Sequence, residues 1–407
     1  MAGEIRFHEK AIAIYGVAQT AEGQSAILST TQTTGTITTV ITDALVAGSG
    51  TKFLAELAPG AYLYDNTGAE IGQIKSVASD TSATLEANNA VAVTGATFAT
   101  GLGAKNALAV LNLNYSTELT SEAFQYTGDE LNRDEETVIT DKFAKMDFEV
   151  FLPSLGTIAG STPTTAEVPL VDWLGASGMA LVLSTGQAKF TNSVASNEFL
   201  TIEVRRSSPG IVTQKTFTTT DNRGNVDFDG TIGTRAKLKF NFQGNLSNVS
   251  QKAALTPDFG DQKAELAPSF KSSTITQSEL GLYSGATPPT FTGTSNACFD
   301  KLQAPNLTGF EYSRYLTGCI DGWSKGATPT DVTITILEDS ADAIYNPDNH
   351  LEKNHGLNLK VGSVTGKKAE INFTKLQLAK VTNSKVATYT GQDLAFRNVG
   401  YVDIILS

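Results

Sequence analysis

Leu238-Lys-Phe-Asn-Phe-Gln-Gly244 sets Leu238, Phe240 and Phe242 at alternate positions and runs into a glycine. A period of two is the pattern of a strand with one buried face. Working outward, the same period recurs in Lys145-Met-Asp-Phe-Glu-Val-Phe151, Thr201-Ile-Glu-Val204, Ile12-Ala-Ile-Tyr15, Thr36-Ile-Thr-Thr-Val-Ile41, Val332-Thr-Ile-Thr-Ile336, Ile371-Asn-Phe373 and Val402-Asp-Ile404. Turn residues punctuate these runs at hairpin spacing, as in Asp65-Asn-Thr-Gly68 and Asp221-Asn-Arg-Gly224. Helical patterns are few and short. In 168–178, Leu170, Val171 and Leu174 share a face and Pro169 suits a first-turn position; a second pattern runs from Ala341 past Pro347 to Lys353. Many strands with one short helix per block predict a mainly β chain of sandwich or barrel modules.

The chain has 407 residues, room for two or three domains that each bury a core. Thirty Lys and Arg against 42 Asp and Glu give a net charge of −12. A nucleic-acid reader needs concentrated Lys and Arg, so this balance argues against one. The hydrophobic content of 40% argues equally against disorder. The opening MAGEIRFHEK mixes charges where a secretory signal needs a basic start and an apolar run. No stretch approaches the roughly 18 apolar residues of a membrane helix. Folding in a cytosol is expected, with Cys298 and Cys319 as two spare thiols.

Composition divides the chain. Residues 33–98 are Thr-, Ala- and Gly-rich, with Lys52 and Lys75 as their only cations, and read as a small all-β domain with a helical turn at 52–56. That domain interrupts a larger module formed by 1–30 and 105–255, because the strand pattern at 10–17 precedes it. Residues 256–304, with Pro257, Pro268, Pro288 and Pro289, read as a connecting segment to a further module at 305–407. The two larger modules echo each other weakly. Ala144–Val150 is answered by Asp331–Ile336, the Trp173 helix by one around Ile344, and 235–242 by 368–373. Duplication is the expectation.

Motifs of chemistry stop short of completion. His350 and His355 are five apart, not the four that align two ligands on a helix face, and are expected to be surface histidines. Asn225-Val-Asp-Phe-Asp-Gly230 imitates the start of a calcium loop, but position 236, where the closing Glu belongs, is Ala. Inward Val226 and Phe228 explain the alternation. Gly362-Ser-Val-Thr-Gly-Lys-Lys368 is one residue short of a phosphate loop and lacks the Ser or Thr after its Lys, so a strand-to-strand turn is expected. The densest carboxylate run is Asp129, Glu130, Asp134, Glu135 and Glu136, which reads as a solvated loop. No catalytic residue, cofactor or metal is expected.

The strand at 145–151, the helix at 170–174, Leu200-Thr-Ile-Glu-Val204, Arg223-Gly-Asn-Val-Asp-Phe228 and the closing 238–244 follow one another in an order that resembles the major tail tube proteins of long-tailed (siphovirus-type) bacteriophages. The resemblance covers 105–255, and 310–407 follow it more loosely. It implies two tail-tube-like β modules, each with a short helix, and a structural protein of the virion tail, assembled in the bacterial cytoplasm. Such a protein forms stacked rings that conduct DNA into the host, touches tape-measure, tail-terminator and tail-tip proteins, and has no membrane partner. Two modules per chain imply homotrimeric rings of pseudo-sixfold shape, with hexameric rings as the alternative. The acidic run 129–136 then faces the bore or the next ring. Excising 33–98 is expected to leave assembly intact. The competing reading is a surface or secreted β-sandwich binding module, of adhesin or carbohydrate-binding type.

Overall fold

A computed structural model describes residues 12–125, 135–156, 162–163, 165, 168–196, 198–206, 213–259, 267–269, 275–283, 291–296, 299–313, 322–325, 330–337, 353–386 and 389–407. The protein is mainly β, built of antiparallel strands, with two short α-helices among the described residues. Its spine is a long hairpin, Thr213–Thr231 with Lys237–Ala253, paired from Thr213↔Ala253 to Asp229↔Lys237 with register shifts at Thr218/Thr219 and Thr220/Arg223. The inner face carries Val226, Phe228, Leu238, Phe240 and Phe242, all buried, as the alternation requires. The strand Glu135–Phe151 joins this hairpin through 143–151 and adds Met146, Phe148 and Val150 to the same core.

Aromatic packing fixes the helix. Phe148 stacks on Phe240 at 5.3 Å between centroids, and Trp173 meets Phe148 edge-on at 5.3 Å and Phe242 at 5.8 Å. Trp173 lies on the helix Val171–Ala176. Pro169 precedes that helix instead of opening it, because Leu170 is its N-cap, with φ at 61°. The indole also rests on Gly16, where a Cβ would fall 2.4 Å from Trp173 Cζ2. A side chain there would force the helix and the strand Ile12–Ala18 apart.

The same arrangement of strands appears twice. In the first half, Ile12–Ala18, Leu200–Arg206, Thr213–Thr231, Lys237–Ala253, Glu135–Phe151 and Leu111–Gln125 lie side by side. In the second, Ile275–Tyr283, Asn354–Val361, Ala369–Val386, Tyr389–Asn398, Thr330–Leu337 and Phe299–Ala304 do so. Ranked by chain position, both sets read 1-4-5-6-3-2, antiparallel throughout. The strand Tyr389–Asn398 breaks at Val399-Gly-Tyr401 and resumes as Val402–Leu406, still alongside the first residues of Ala369–Val386.

Three sequence expectations are corrected. The counterpart of Lys237–Ala253 is Tyr389–Asn398 with Val402–Leu406, so 368–373 answers the start of Thr213–Thr231 and not 235–242. The stretch 256–304 carries three strands, Ile275–Tyr283, Phe291–Asn296 and Phe299–Ala304, which pair within the second half. His355 is buried against Phe396, 5.6 Å between ring centroids, because it points inward from the strand Asn354–Val361. The helix expected around Ile344, His350 and both cysteines lie outside the described residues.

The halves share one core and are stitched edge to edge twice. Phe228↔Ala304 to Thr231↔Lys301 forms one ladder; Ala188↔Leu406 to Thr191↔Asp403, from the strand Gln187–Ala195, forms the other. The buried Asn192 reinforces the seam, its amide donating to Leu307 O at 2.8 Å and its Oδ1 accepting Val402 N at 2.8 Å.

A second sheet has the order Val93–Ala96, Thr36–Thr39, Leu45–Ser49, Ser82–Leu85, Glu70–Ser79, Tyr62–Asp65, Phe98–Gly101. Its first and last members are separated in the chain by Thr97 alone, so the sheet curls until its ends approach. Phe53, from the helical turn Phe53–Glu56, and Phe98 meet edge-on inside it at 5.7 Å. The strand Ile12–Ala18 serves both cores: Ile14 enters the large one, Tyr15 and Val17 the small one. Such a strand needs apolar residues on both faces.

Candidate assembly surfaces

The strands Leu111–Gln125 and Glu135–Phe151 pair antiparallel along their length. Near their base, 143–151 is held on its other side by Lys237–Ala253. Beyond Phe143, the pairs from Leu119↔Lys142 to Gln125↔Glu135 have no further hydrogen-bonded neighbour among the described residues. At about 3.4 Å per residue this two-stranded arm reaches about 25 Å. Two strands paired only with each other are marginal in water.

Charge concentrates in this part of the sequence. Residues 119–142 hold Glu122, Asp129, Glu130, Asp134, Glu135, Glu136 and Asp141 against Arg133 and Lys142, a net −5 out of −12 for the whole chain. Asp129, Glu130 and Asp134 lie outside the described residues. Glu135 and Glu136 open the strand and pair by backbone with Gln125 and Phe124. Of the acidic run, Glu135 and Glu136 therefore lie at the end of the paired stretch farthest from Lys237–Ala253. At its base, Lys145 Nζ meets Glu118 Oε2 at 3.1 Å, an exposed pair that contributes little, and Lys237 Nζ meets Glu149 Oε2 at 3.0 Å in a half-buried pair.

A buried charge cluster ties the large sheet to the small one. On Leu200–Arg206, Leu200, Ile202 and Val204 face the large core, while Thr201, Glu203 and Arg205 lie on the opposite face and are buried too. Glu203 has 0% exposure. It accepts from Arg205 Nε at 2.8 Å and NH2 at 2.5 Å, from Thr218 Oγ1 at 3.3 Å, and pairs with Lys252. Arg205 also lies over the Tyr15 ring at 5.0 Å. Thr201 Oγ1 accepts Ala26 N at 2.9 Å. Period-two reading assigns this polar face to solvent; in the fold Ala26 meets Thr201, Tyr15 lies against Arg205, and Thr218 and Lys252 meet Glu203, so the face is interior.

A second acidic group stands at the helix. Asp172 Oδ2 accepts Ala18 N at 3.3 Å, and burial pushes its carboxyl up to about 6. Glu198 is raised to about 7, by desolvation first and then by Asp172, with Arg223 acting in the opposite sense. Arg223 donates to Ser196 O at 2.7 Å and lies over the Phe199 ring at 5.1 Å. These groups bind the first strand to the helix and to the loop before Leu200.

The remaining sequence motifs serve the fold. Val226 and Phe228 point into the core, while Asn225 Oδ1 and Asp227 Oδ2 accept from Asn241 at 3.0 and 3.3 Å and Asp227 Oδ1 accepts Asn306 N at 2.7 Å. Residues 362–368 form the turn between Asn354–Val361 and Ala369–Val386, with Gly362 and Gly366 at φ 93° and 78°. Among the described residues, no group of three or more His, Cys, Asp or Glu is placed to hold a metal. No helix among them is long and apolar enough to cross a membrane. No family model matches the chain, and no curated protein matches it.

Proposed function

We propose that this chain is a structural virion protein that assembles with copies of itself into stacked rings, the tail tube through which a long-tailed phage passes DNA into its host. The carrying observation is the repeat of one six-stranded order in two halves that meet edge to edge through two ladders. A head-to-tail contact between like units is the contact a ring repeats until rotation closes it. Because both halves share one core, both belong to the wall of the proposed ring, which favours three chains with pseudo-sixfold shape over six chains with the second half outside.

The acidic run 129–136 fits a contact with the next ring or the rim of the bore. A bore that repels phosphate lets DNA slide, and the chain's −12 supplies the sign. Its place is the virion tail, formed in the host cytoplasm, between tape-measure protein within and terminator and tip proteins at the ends; DNA only passes through. Electron microscopy of the purified protein tests the reading. Rings or tubes with threefold averages are expected, whereas monodisperse monomers at high concentration would overturn it.

A further inference from the structure

The two halves use equivalent strand edges differently. On the edge of Thr213–Thr231 that faces away from Lys237–Ala253, 215–222 pairs with Leu200–Arg206. Further along the same edge, 228–231 reaches past that strand and pairs with 301–304 of the second half. The counterpart strand Ala369–Val386 pairs through 369–377 with Asn354–Val361, and beyond Gln377 that edge has no hydrogen-bonded partner among the described residues. Counting from the matched pairs Lys215↔Arg206 and Ala369↔Val361 puts 382–385 where 228–231 stand.

The accepting edges match in the same way. Phe299–Ala304 has its inner edge on Thr330–Leu337 and its outer edge on 228–231. Its counterpart Leu111–Gln125 has its inner edge on Glu135–Phe151, and its outer edge has no strand neighbour among the described residues. Register matching puts 111–114 where 301–304 stand, and each accepting strand opens with a register shift, Phe299/Lys301 in one and Leu111/Asn114 in the other. Neither Pro nor Lys occurs in 111–117, the residues that ordinarily block an edge.

A third edge points the same way. Val402–Leu406 is covered on its outer side by 188–191, whereas its counterpart 246–253 has no outer neighbour among the described residues. Val249 is 46% exposed there, and Ile404, its counterpart, 1%.

We propose that residues 382–385 of one chain pair antiparallel with 111–114 of a second copy, reproducing between chains the 228–231 to 301–304 ladder that joins the halves within one. The pairing rests on the ring reading and names its interface: each chain donates an edge from its second half and accepts one on its first. Val249 and the outer edge of 246–253 come under the same neighbour. By analogy with Phe228↔Ala304, Thr382 stands opposite Asn114.

Cysteine cross-linking of the full chain tests it. Asn114→Cys with Thr382→Cys is made in a Cys298→Ser, Cys319→Ser background, since directly opposed residues on antiparallel strands lie within disulfide reach. Asp229→Cys with Gln303→Cys, opposed within one chain, is the control for that geometry. Oxidation is expected to give covalent dimers and trimers of the 114/382 variant and only intramolecular bonds in the control. Each single cysteine is expected to give no trimer, and shifting the pair to Asn114→Cys with Lys380→Cys should lower the yield at least about tenfold. Rings that form by microscopy yet give no 114/382 cross-link would overturn the pairing and leave the ring reading standing. Absence of rings in the parent background would overturn both.

Discussion

Excision of 33–98, closed by a short Gly/Ser linker, separates what composition suggests from what packing dictates. The flanks are rich in Gly, Ala and Thr and read as loops from sequence, and loop closure alone costs little, which is why the sequence favours a neutral deletion; in the fold the strand Phe98–Gly101 of the small sheet runs past the cut. The strand Ile12–Ala18, however, places Tyr15 and Val17 at 0% exposure inside the small sheet's core. Removing that sheet returns both side chains to water. Burial of a side chain of this size contributes about 1.5–3 kcal/mol. Tyr15 keeps part of its cover, since Arg205 stays on its ring and its hydroxyl donates to Leu255 O at 3.2 Å. The large core should therefore lose about 4 kcal/mol, a large part of the roughly 5–15 kcal/mol that holds a domain folded. Urea unfolding followed by tryptophan fluorescence reads this directly, because Trp173 sits in the large core. The excised chain should also self-associate through the uncovered face, and adding Tyr15→Thr and Val17→Thr should remove that association without restoring the lost stability. An excised chain within about 1 kcal/mol of the parent would refute the reasoning.

Other outcomes follow from the same packing. Gly16→Val drives a side chain into Trp173 and should cost about 1–3 kcal/mol, seen as a lower Tm with loss of near-ultraviolet tryptophan signal. Glu203→Ala strands the buried Arg205 beside an emptied site and should cost about 3–5 kcal/mol by chemical denaturation, more than Lys252→Ala, whose side chain reaches solvent. The raised carboxyl of Asp172 makes the native state bind more protons than the unfolded chain between about pH 4 and 6. Its contribution is most favourable below its unfolded pKa and is lost as pH rises through about 6. Asp172→Asn should gain about 1–2 kcal/mol on the parent between pH 4 and 7.5, a value halved for partial solvation; parallel pH curves for the two proteins would contradict this. Asp129→Lys, Glu130→Lys and Asp134→Lys together should leave tubes assembled while slowing DNA ejection, because phosphates then adhere; ejection at the parent rate would remove the electrostatic argument.

What the amino-acid sequence determined by itself is local. Alternation at 238–242, 145–151 and 226–228 made strands whose inward residues form the core, and Leu170, Val171 and Leu174 marked the short helix beside Trp173. A period of two reports only that two faces differ, so it fixes which residues point together but not what covers either face. The strand Ile275–Tyr283 passed for connection because Thr, Gln, Ser and Glu dilute its apolar positions. The repeat was misaligned by one strand because 235–242 and 368–373 share a basic start, whereas strand order and register are properties of the sheet. Tertiary structure alone decided that Thr201, Glu203 and Arg205 are interior, since Ala26, Tyr15 and Lys252, all distant in the chain, close over their face. It alone decided that 188–191 meets 403–406 and 228–231 meets 301–304, because backbone hydrogen bonds carry no side-chain signature. The acidic run was legible as charge, and the place of Glu135 and Glu136 at the far end of the paired stretch followed only from where Lys237–Ala253 stops pairing with Glu135–Phe151.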